Sequence, residues 1–123
     1  VKYPNRVEKL ILVDAAGLAP AAIDFDRIYQ LNNSTRDEIR ANLKLIFANP
    51  AFHNEALVDQ FMMQRVMTND GNTINSLIES IKRKEDFLDN ELGKIKKPTL
   101  IIWGRQDGLL PLADGEKFNK GIA

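Results

Sequence analysis

The sequence predicts an α/β fold in which two parallel strands are separated by a helical insertion. Two short apolar runs, 7–13 and 98–103, are rich in β-branched residues and end at turn-forming residues, which is typical of buried parallel strands. The long segment between them carries apolar residues at helical spacing instead. Because two parallel strands cannot cover their own faces and edges, we expect them to be part of a larger doubly wound sheet.

The two predicted strands have the same local pattern. Val7–Val13 ends at a turn of small residues, and Pro98–Trp103 ends at Gly104. After the second strand, Pro111 is well placed in the first turn of a final helix that Gly121 ends. This repeated pattern favours two strands that belong to one sheet.

Four helices are predicted in the insertion. A short one is expected at Asp24–Leu31, and three longer ones begin at the capping box of Thr35 and Glu38, at Asn54 and near Thr73. The apolar residues expected on one face of each longer helix are Ile39, Leu43, Ile46 and Phe47; Leu57, Val58, Phe61, Met62 and Val66; and Ile74, Leu77, Ile78 and Ile81.

Composition and charge narrow the classes of protein. The 123 residues fit one domain, and 44% hydrophobic with 28% charged residues is ordinary for a globular protein. Seventeen basic residues balance seventeen acidic ones, so charge gives no reason to expect a nucleic-acid or membrane partner. The absence of cysteine excludes disulfides, thiolate metal sites and a cysteine nucleophile. Without a signal segment or an apolar run of membrane-spanning length, we expect a cytoplasmic protein.

The order of elements divides the chain into three segments. Residues 1–18 hold the first strand and its following loop, 19–94 the helical insertion, and 95–123 the second strand, its loop and the last helix. The chain opens with Val1 rather than methionine, and we expect it to be a piece of a longer protein.

A carboxylate follows each predicted strand. Asp107 lies three residues past Gly104, in a loop that Pro111 closes, and Asp14 directly follows the first strand. Because α/β folds place their functional groups beyond the carboxyl ends of the strands, both aspartates are candidates for a site.

The sequence around Asp107 resembles that of a known family. PTLIIWGRQDGLLPLADGEKF is similar to the segment of α/β-hydrolase fold enzymes that carries the acid of the catalytic triad: a strand, W-G, two residues, Asp, an apolar pair and a proline that opens a helix. YPNRVEKLILVDAAGL resembles the preceding strand, and the insertion lies where that family places its cap, or lid. The resemblance implies a partial α/β-hydrolase fold, with two parallel core strands and an inserted helical cap.

The resemblance assigns Asp107 the role of the triad acid. Such a carboxylate accepts the Nδ1 hydrogen of the catalytic histidine, fixes its tautomer and stabilises the imidazolium. The competing interpretation is that Asp107 only caps a turn. The family order of Ser, Asp, His implies a nucleophile before Val1 and a histidine beyond Ala123. Ser34 and the other serines lack the flanking glycines of the G-x-S-x-G motif. We therefore expect this chain to contain one of the three triad residues.

Two other titratable residues are weighed as alternatives. His53, the only histidine, is interpreted as a partly exposed residue at a helix entrance rather than as a catalytic base. Asp14 is the alternative acid, because some branches of the fold carry the triad acid after the earlier strand. The favoured interpretation is that Asp14 ends its strand and accepts hydrogen bonds from local backbone amides.

The candidate substrate-binding residues lie in the loops that follow the two strands and on one helix of the predicted cap. Those beside the acid are favoured because the family places an apolar residue there; those of the cap are also typical of a seam between helices. The candidates are Leu109, Leu110, Gly17, Leu18, Phe61 and Met62, with Met63 and Met67 in the same cap patch.

The resemblance implies a hydrolase that acts on a small apolar ester, or on a carbon–carbon bond in a ring-cleavage product, by a Ser-His-Asp mechanism without a cofactor or metal. The chain alone is expected to be inactive. Dehalogenases, epoxide hydrolases and haloperoxidases share the loop that carries the acid, here residues 104–111 and called the acid loop, and they stay as alternatives. A non-catalytic helical module that associates with itself or with a partner is a further alternative. The uncovered strands also predict self-association of the chain.

Overall fold

The computed structural model describes residues 2–19, 32–85 and 87–122 of the chain. The helix predicted at 24–31 lies outside these residues. The chain divides into two compact units, a sheet unit (1–19 with 87–123) and a helical unit (20–86). Within the described ranges the elements are β1 (Leu10–Val13), α1 (Arg36–Ile46), α2 (Glu55–Thr68), α3 (Gly71–Lys82), β2 (Thr99–Ile102) and α4 (Leu112–Gly121), with 3-10 turns at Pro4–Arg6, Pro50–Phe52 and Leu92–Lys94.

The two strands pair in parallel, which confirms the predicted fold class. Leu10 of β1 aligns with Thr99 of β2, and Val13 aligns with Ile102. Each strand covers four residues, fewer than the apolar runs predicted. In the described part of the chain, no helix is long and apolar enough to cross a lipid bilayer.

The core of the sheet unit lies on one face of these strands. Leu18, Leu92 and Phe118 are buried together, and Leu12 and Ile101 pack against them from the two strands. Leu92 comes from the 3-10 turn before β2 and Phe118 from α4. Both therefore cover the same side of the sheet, and this packing fixes α4 beside the loop that follows β2.

The opposite face of the sheet is apolar and exposed. Ile11, Val13, Leu100 and Ile102 project from it, and their side chains are between 48% and 62% exposed. The strand register places Ile11 beside Leu100 and Val13 beside Ile102, so the four form one continuous patch, called here the open face. Among the described residues, no third strand pairs with either edge of the sheet.

Two hydrogen bonds join the segments of the sheet unit that lead into and out of the insertion. The amide of Leu88 donates to the carbonyl of Gly17 at 2.8 Å, and the amide of Ala19 donates to Oδ2 of Asp89 at 2.9 Å. Gly17 has a φ of +125°, a conformation that side chains other than glycine rarely adopt. The entry and the exit of the insertion therefore lie next to each other.

Helix α1 begins at the capping box that the sequence predicts. The hydroxyl of Thr35 accepts a hydrogen bond from the amide of Glu38 at 3.3 Å, and the carboxylate of Glu38 accepts one from the amide of Thr35 at 2.8 Å. The amides of Ser34 and Thr35 hold the pKa of Glu38 below its usual range. The reciprocal bonds satisfy donors that the first turn of a helix leaves free.

The core of the helical unit is the seam between α1 and α2. Ile39, Leu43 and Val58 are buried there, and apolar neighbours that include Phe61 and Met62 pack against them. These five residues are among those predicted to face inward.

Three other inward predictions are wrong. Ile46, the last residue of α1, is 40% exposed. Val66 of α2 is 74% exposed, because the residues of α2 that pack into the seam with α1 lie between Leu57 and Met62. Leu77 of α3 is 52% exposed, since the buried stripe of that helix is centred on Ile78 and Leu77 lies at the edge of the stripe.

Ion pairs cross the same seam near its surface. Arg40 Nε of α1 lies 2.6 Å from Glu55 Oε1 of α2, and Arg36 Nη2 lies 2.9 Å from Glu55 Oε2. These guanidinium groups, Arg40 first and then Arg36, lower the pKa of Glu55 to about 2. Because the pairs are exposed, we expect them to orient the two helices rather than to supply most of the stability.

Candidate active site

The loop after β2 holds Asp107 by its backbone and by one side-chain oxygen. The Asp107 amide donates to the carbonyl of Gly104 at 3.2 Å. Its Oδ1 accepts hydrogen bonds from the amides of Leu109 at 2.7 Å and Leu110 at 2.9 Å. Two backbone amides therefore orient this half-buried carboxylate, and the bond to Gly104 holds the backbone of Asp107 at the carboxyl end of the sheet.

The second oxygen of Asp107, Oδ2, receives no hydrogen bond from the residues that the structure describes. A carboxylate can accept from several donors, so Oδ2 has the capacity to bind a further N–H group. The bonds to Oδ1 are those of a turn cap, which was the competing interpretation of this aspartate. Turn capping thus accounts for one oxygen and leaves the other available for chemistry.

Trp103 fixes the far end of the same loop. Its indole Nε1 donates to the carbonyl of Leu110 at 3.1 Å, and its ring lies 6.0 Å from that of Phe118 in α4. Since the amide of Leu110 already donates to Asp107, this residue is held on both sides. The indole therefore links the acid loop to the core of the sheet unit.

Gly115 of α4 makes room for that indole. A Cβ atom at this position would lie 2.8 Å from Cδ2 of Trp103 and 2.9 Å from its Cε3, which is too close for any side chain. This packing role was not predicted from the sequence. A glycine inside a predicted helix is itself a signal of close packing, because glycine weakens helices.

Asp14 lies at the same end of the sheet as Asp107. It follows β1 with a φ of +41°, and its amide donates to the carbonyl of Ile102 at 3.1 Å. Its Oδ1 accepts a hydrogen bond from the amide of Gly104 at 2.6 Å. The predicted bond from a backbone amide is present, but the donor lies across the sheet rather than next to Asp14 in sequence.

His53 has a structural position in the helical unit. It follows the 3-10 turn before α2, is half-buried, and its Nε2 lies 2.7 Å from the carbonyl oxygen of Phe47. A carbonyl only accepts, so Nε2 carries the hydrogen. This arrangement agrees with the interpretation of His53 as a partly exposed residue at a helix entrance.

The candidate substrate-binding residues have different environments. Leu109 and Leu110 are half-buried beside Asp107, and Gly17 is half-buried at the root of the insertion. Leu18 is buried in the core of the sheet unit. Phe61 and Met62 pack into the seam of the helical unit, while Met63 and Met67 on the same helix are exposed. That these residues bind a substrate stays a prediction.

No metal cluster marks these candidates in the described residues. No group of three or more histidine, aspartate or glutamate side chains there is placed to hold a metal ion. A cavity of about 310 Å³ in the sheet unit lies at the amino end of β2, between Lys97, Thr99 and Ile122, away from the acid loop.

Comparisons with known proteins agree with this fold. The chain is 30% identical to a 2-hydroxy-6-oxononadienedioate/2-hydroxy-6-oxononatrienedioate hydrolase of Cupriavidus pinatubonensis over 128 residues, which cover 97% of this chain and 44% of that protein. It is 30% identical to the hydrolase of the same name from Escherichia coli over 132 residues, or 100% of this chain and 46% of that protein. No protein-family model matches the chain.

One solved structure has a similar fold. The crystal structure of a membrane phospholipase A, described as a novel bacterial virulence factor, matches 98% of this chain and 40% of its own chain with a TM-score of 0.68. At 23% identity this similarity supports the fold alone. The chain spans about half the length of the curated relatives it matches. By its parallel strands and these similarities, the chain has a partial α/β-hydrolase fold.

Proposed function

We propose that the chain supplies the acid of a Ser-His-Asp triad, Asp107, to a hydrolase that cleaves a carbon–carbon bond in a ring-cleavage product. The nucleophile and the histidine are proposed to come from parts of a longer protein. The curated relatives are named as hydrolases of 2-hydroxy-6-oxo dienedioates. Such molecules contain a ketone but no ester, so their hydrolysis means cleavage of a carbon–carbon bond beside the ketone. A small apolar ester stays the alternative substrate.

The observation that carries this proposal is the uneven use of the two oxygens of Asp107. Backbone amides orient Oδ1, and Oδ2 accepts no bond from the described residues. An acid in this state would accept the Nδ1 hydrogen of a histidine and stabilise the imidazolium that forms as the serine loses its proton. Water is the second substrate of hydrolysis, so this mechanism needs no cofactor.

The proposal predicts that the isolated chain is inactive. Purified chain should release p-nitrophenol from p-nitrophenyl butyrate no faster than buffer does, because one carboxylate cannot replace a nucleophile and a base. The proposed longer protein that contains this chain should hydrolyse the ester or a 2-hydroxy-6-oxo dienoate. Hydrolysis of the dienoate is measured as the loss of its dienol absorbance. Turnover by the isolated chain that a His53→Ala variant abolishes would place the base in the helical unit and contradict the proposal.

We also propose that the isolated chain associates with a second copy through the open face, which is the non-catalytic alternative weighed above. The four open-face side chains form an apolar patch beside two unpaired strand edges. Burial of apolar surface contributes about 25 cal/mol per Å², so covering such a patch favours association. A second copy presents the same face and edges, which makes the contact self-complementary.

Sedimentation velocity at low micromolar concentration tests this association. The unchanged chain should sediment as a dimer or larger assembly, and Val13→Lys, which puts a charge on the open face, should shift it toward monomer. Met67→Lys is the matched control, because Met67 is 78% exposed but lies in the helical unit. A compact monomer for the unchanged chain, or equal shifts for the two variants, would contradict the proposal.

A further inference from the structure

We infer that Asp14 is a positioning residue for the acid loop, and that it holds Asp107 in place through the amide of Gly104. The inference rests on the proposed role of Asp107 and extends it to a second residue on the other strand. It differs from the alternative in which Asp14 is itself the triad acid, because here Asp14 contacts neither substrate nor histidine.

The first support is the way the side chain of Asp14 completes the strand pairing. In a parallel ladder, the amide and the carbonyl of one residue bond to two residues that lie two apart on the neighbouring strand. The amide of Asp14 donates to Ile102, so the carbonyl of Asp14 would next accept from Gly104. Instead, Oδ1 of Asp14 accepts from the amide of Gly104 at 2.6 Å. The carboxylate therefore replaces a backbone carbonyl and extends the pairing by one bond.

The second support is the backbone of Asp14. Its φ of +41° lies in the left-handed region, which non-glycine residues seldom adopt. Aspartate and asparagine tolerate it because their short polar side chains can hydrogen-bond nearby. With this φ the backbone leaves the extended conformation of β1, and the side chain rather than the carbonyl of Asp14 accepts from the amide of Gly104.

The third support is that Gly104 connects directly to the acid. Its amide is held by Asp14, and its carbonyl accepts from the amide of Asp107 at 3.2 Å. Glycine has more backbone freedom than any other residue, so a glycine here needs an external contact to stay in one conformation. The hydrogen bond that the amide of Gly104 donates to Asp14 ties this glycine to the end of β1. Its loss would let the start of the acid loop move.

Three variants of Asp14 separate the hydrogen bond from the backbone conformation. Asp14→Asn keeps both the acceptor and the tolerance for positive φ. Asp14→Gly keeps the φ but removes the acceptor, and Asp14→Ala removes both. In the longer protein that holds the whole triad, Asp14→Gly should lower kcat about 10- to 100-fold, since small displacements of a catalytic group are costly. KM should stay within about 2-fold because the substrate contacts are unchanged.

The amide of Gly104 provides a readout that does not depend on activity. Its proton resonance in ¹⁵N-labelled protein should lie downfield in the unchanged protein and in Asp14→Asn, and should move upfield in Asp14→Gly as the bond is lost. A kcat of Asp14→Asn within about 3-fold of that of the unchanged enzyme would support the inference, because asparagine keeps the oxygen that accepts from Gly104. If kcat fell as far in Asp14→Asn as in Asp14→Gly, the inference would be overturned, because the hydrogen bond to Gly104 would then not account for the loss of activity.

Asp107→Asn measured in parallel distinguishes failure of the inference from failure of the proposed function. If Asp107→Asn keeps full activity, the triad role of Asp107 is wrong, and the inference about Asp14 falls with it. If Asp107→Asn is inactive and Asp14→Gly has an unchanged kcat, only the inference is wrong. Failure of Asp14→Gly to fold, judged by circular dichroism, would also overturn it, since Asp14 would then support the whole sheet unit rather than the acid loop.

Discussion

Replacement of Asp107 by asparagine is expected to lower kcat about 10⁴-fold in the enzyme that holds the complete triad. The Oδ1 atom of asparagine can still accept from the amides of Leu109 and Leu110, so the loop should keep its conformation. The amide group then presents its NH₂ where the carboxylate presented Oδ2. That group favours the wrong histidine tautomer and cannot stabilise the imidazolium. Steady-state kinetics with p-nitrophenyl butyrate, together with a thermal unfolding curve, measure both effects.

Asp14→Asn is the matched control for this substitution. It makes the same chemical change at the end of the neighbouring strand, where Asp14 accepts from the backbone amide of Gly104. We expect it to cost far less activity than Asp107→Asn. If the two losses came out in the opposite order, the triad acid would belong to β1, and the assignment of Asp107 would be wrong.

The second large effect is expected at Gly115. Gly115→Ala would place a Cβ atom 2.8 Å from the indole of Trp103, and that ring cannot move without losing its contact with Phe118. Overpacking of this kind lowers the free energy of unfolding by about 1–3 kcal/mol. Guanidinium denaturation followed by the fluorescence of Trp103, the only tryptophan, measures it directly.

Gly93→Ala is the control for Gly115→Ala. Gly93 is exposed, and among the described residues beyond its own chain neighbours no atom lies within 4 Å of a Cβ built there. Its substitution should leave the free energy of unfolding nearly unchanged. Equal stabilities for the two variants would mean that the indole of Trp103 does not fill the space beside Gly115. The link between α4 and the acid loop described above would then be incorrect.

The elements that the sequence predicts are those with a local physical cause. The strands follow from short apolar β-branched runs, and the start of α1 follows from the spacing of Thr35 and Glu38, whose reciprocal bonds are present. Asp107 was a candidate because its loop has a recognisable order of residues after a strand. In each case the residues that determine the structure lie within a few positions of one another.

The features that were missed depend on contacts between distant parts of the chain. The bond from Gly104 to Asp14 joins residues 90 positions apart, and no local pattern indicates it. The exposure of Val66 has a similar origin. Helical spacing predicts which residues share a face of α2, but it does not predict that the packing on α1 lies between Leu57 and Met62 and does not reach Val66.

The paired segments at the root of the insertion have a structural consequence. Gly17 bonds to Leu88 and Ala19 bonds to Asp89, so the sheet unit closes the gap between the two strands by itself. Loop-closure entropy grows only slowly with length, so segments of different size can join such adjacent ends at little extra cost. We therefore expect that an insertion of another length could replace this one while the strands and the acid loop keep their structure.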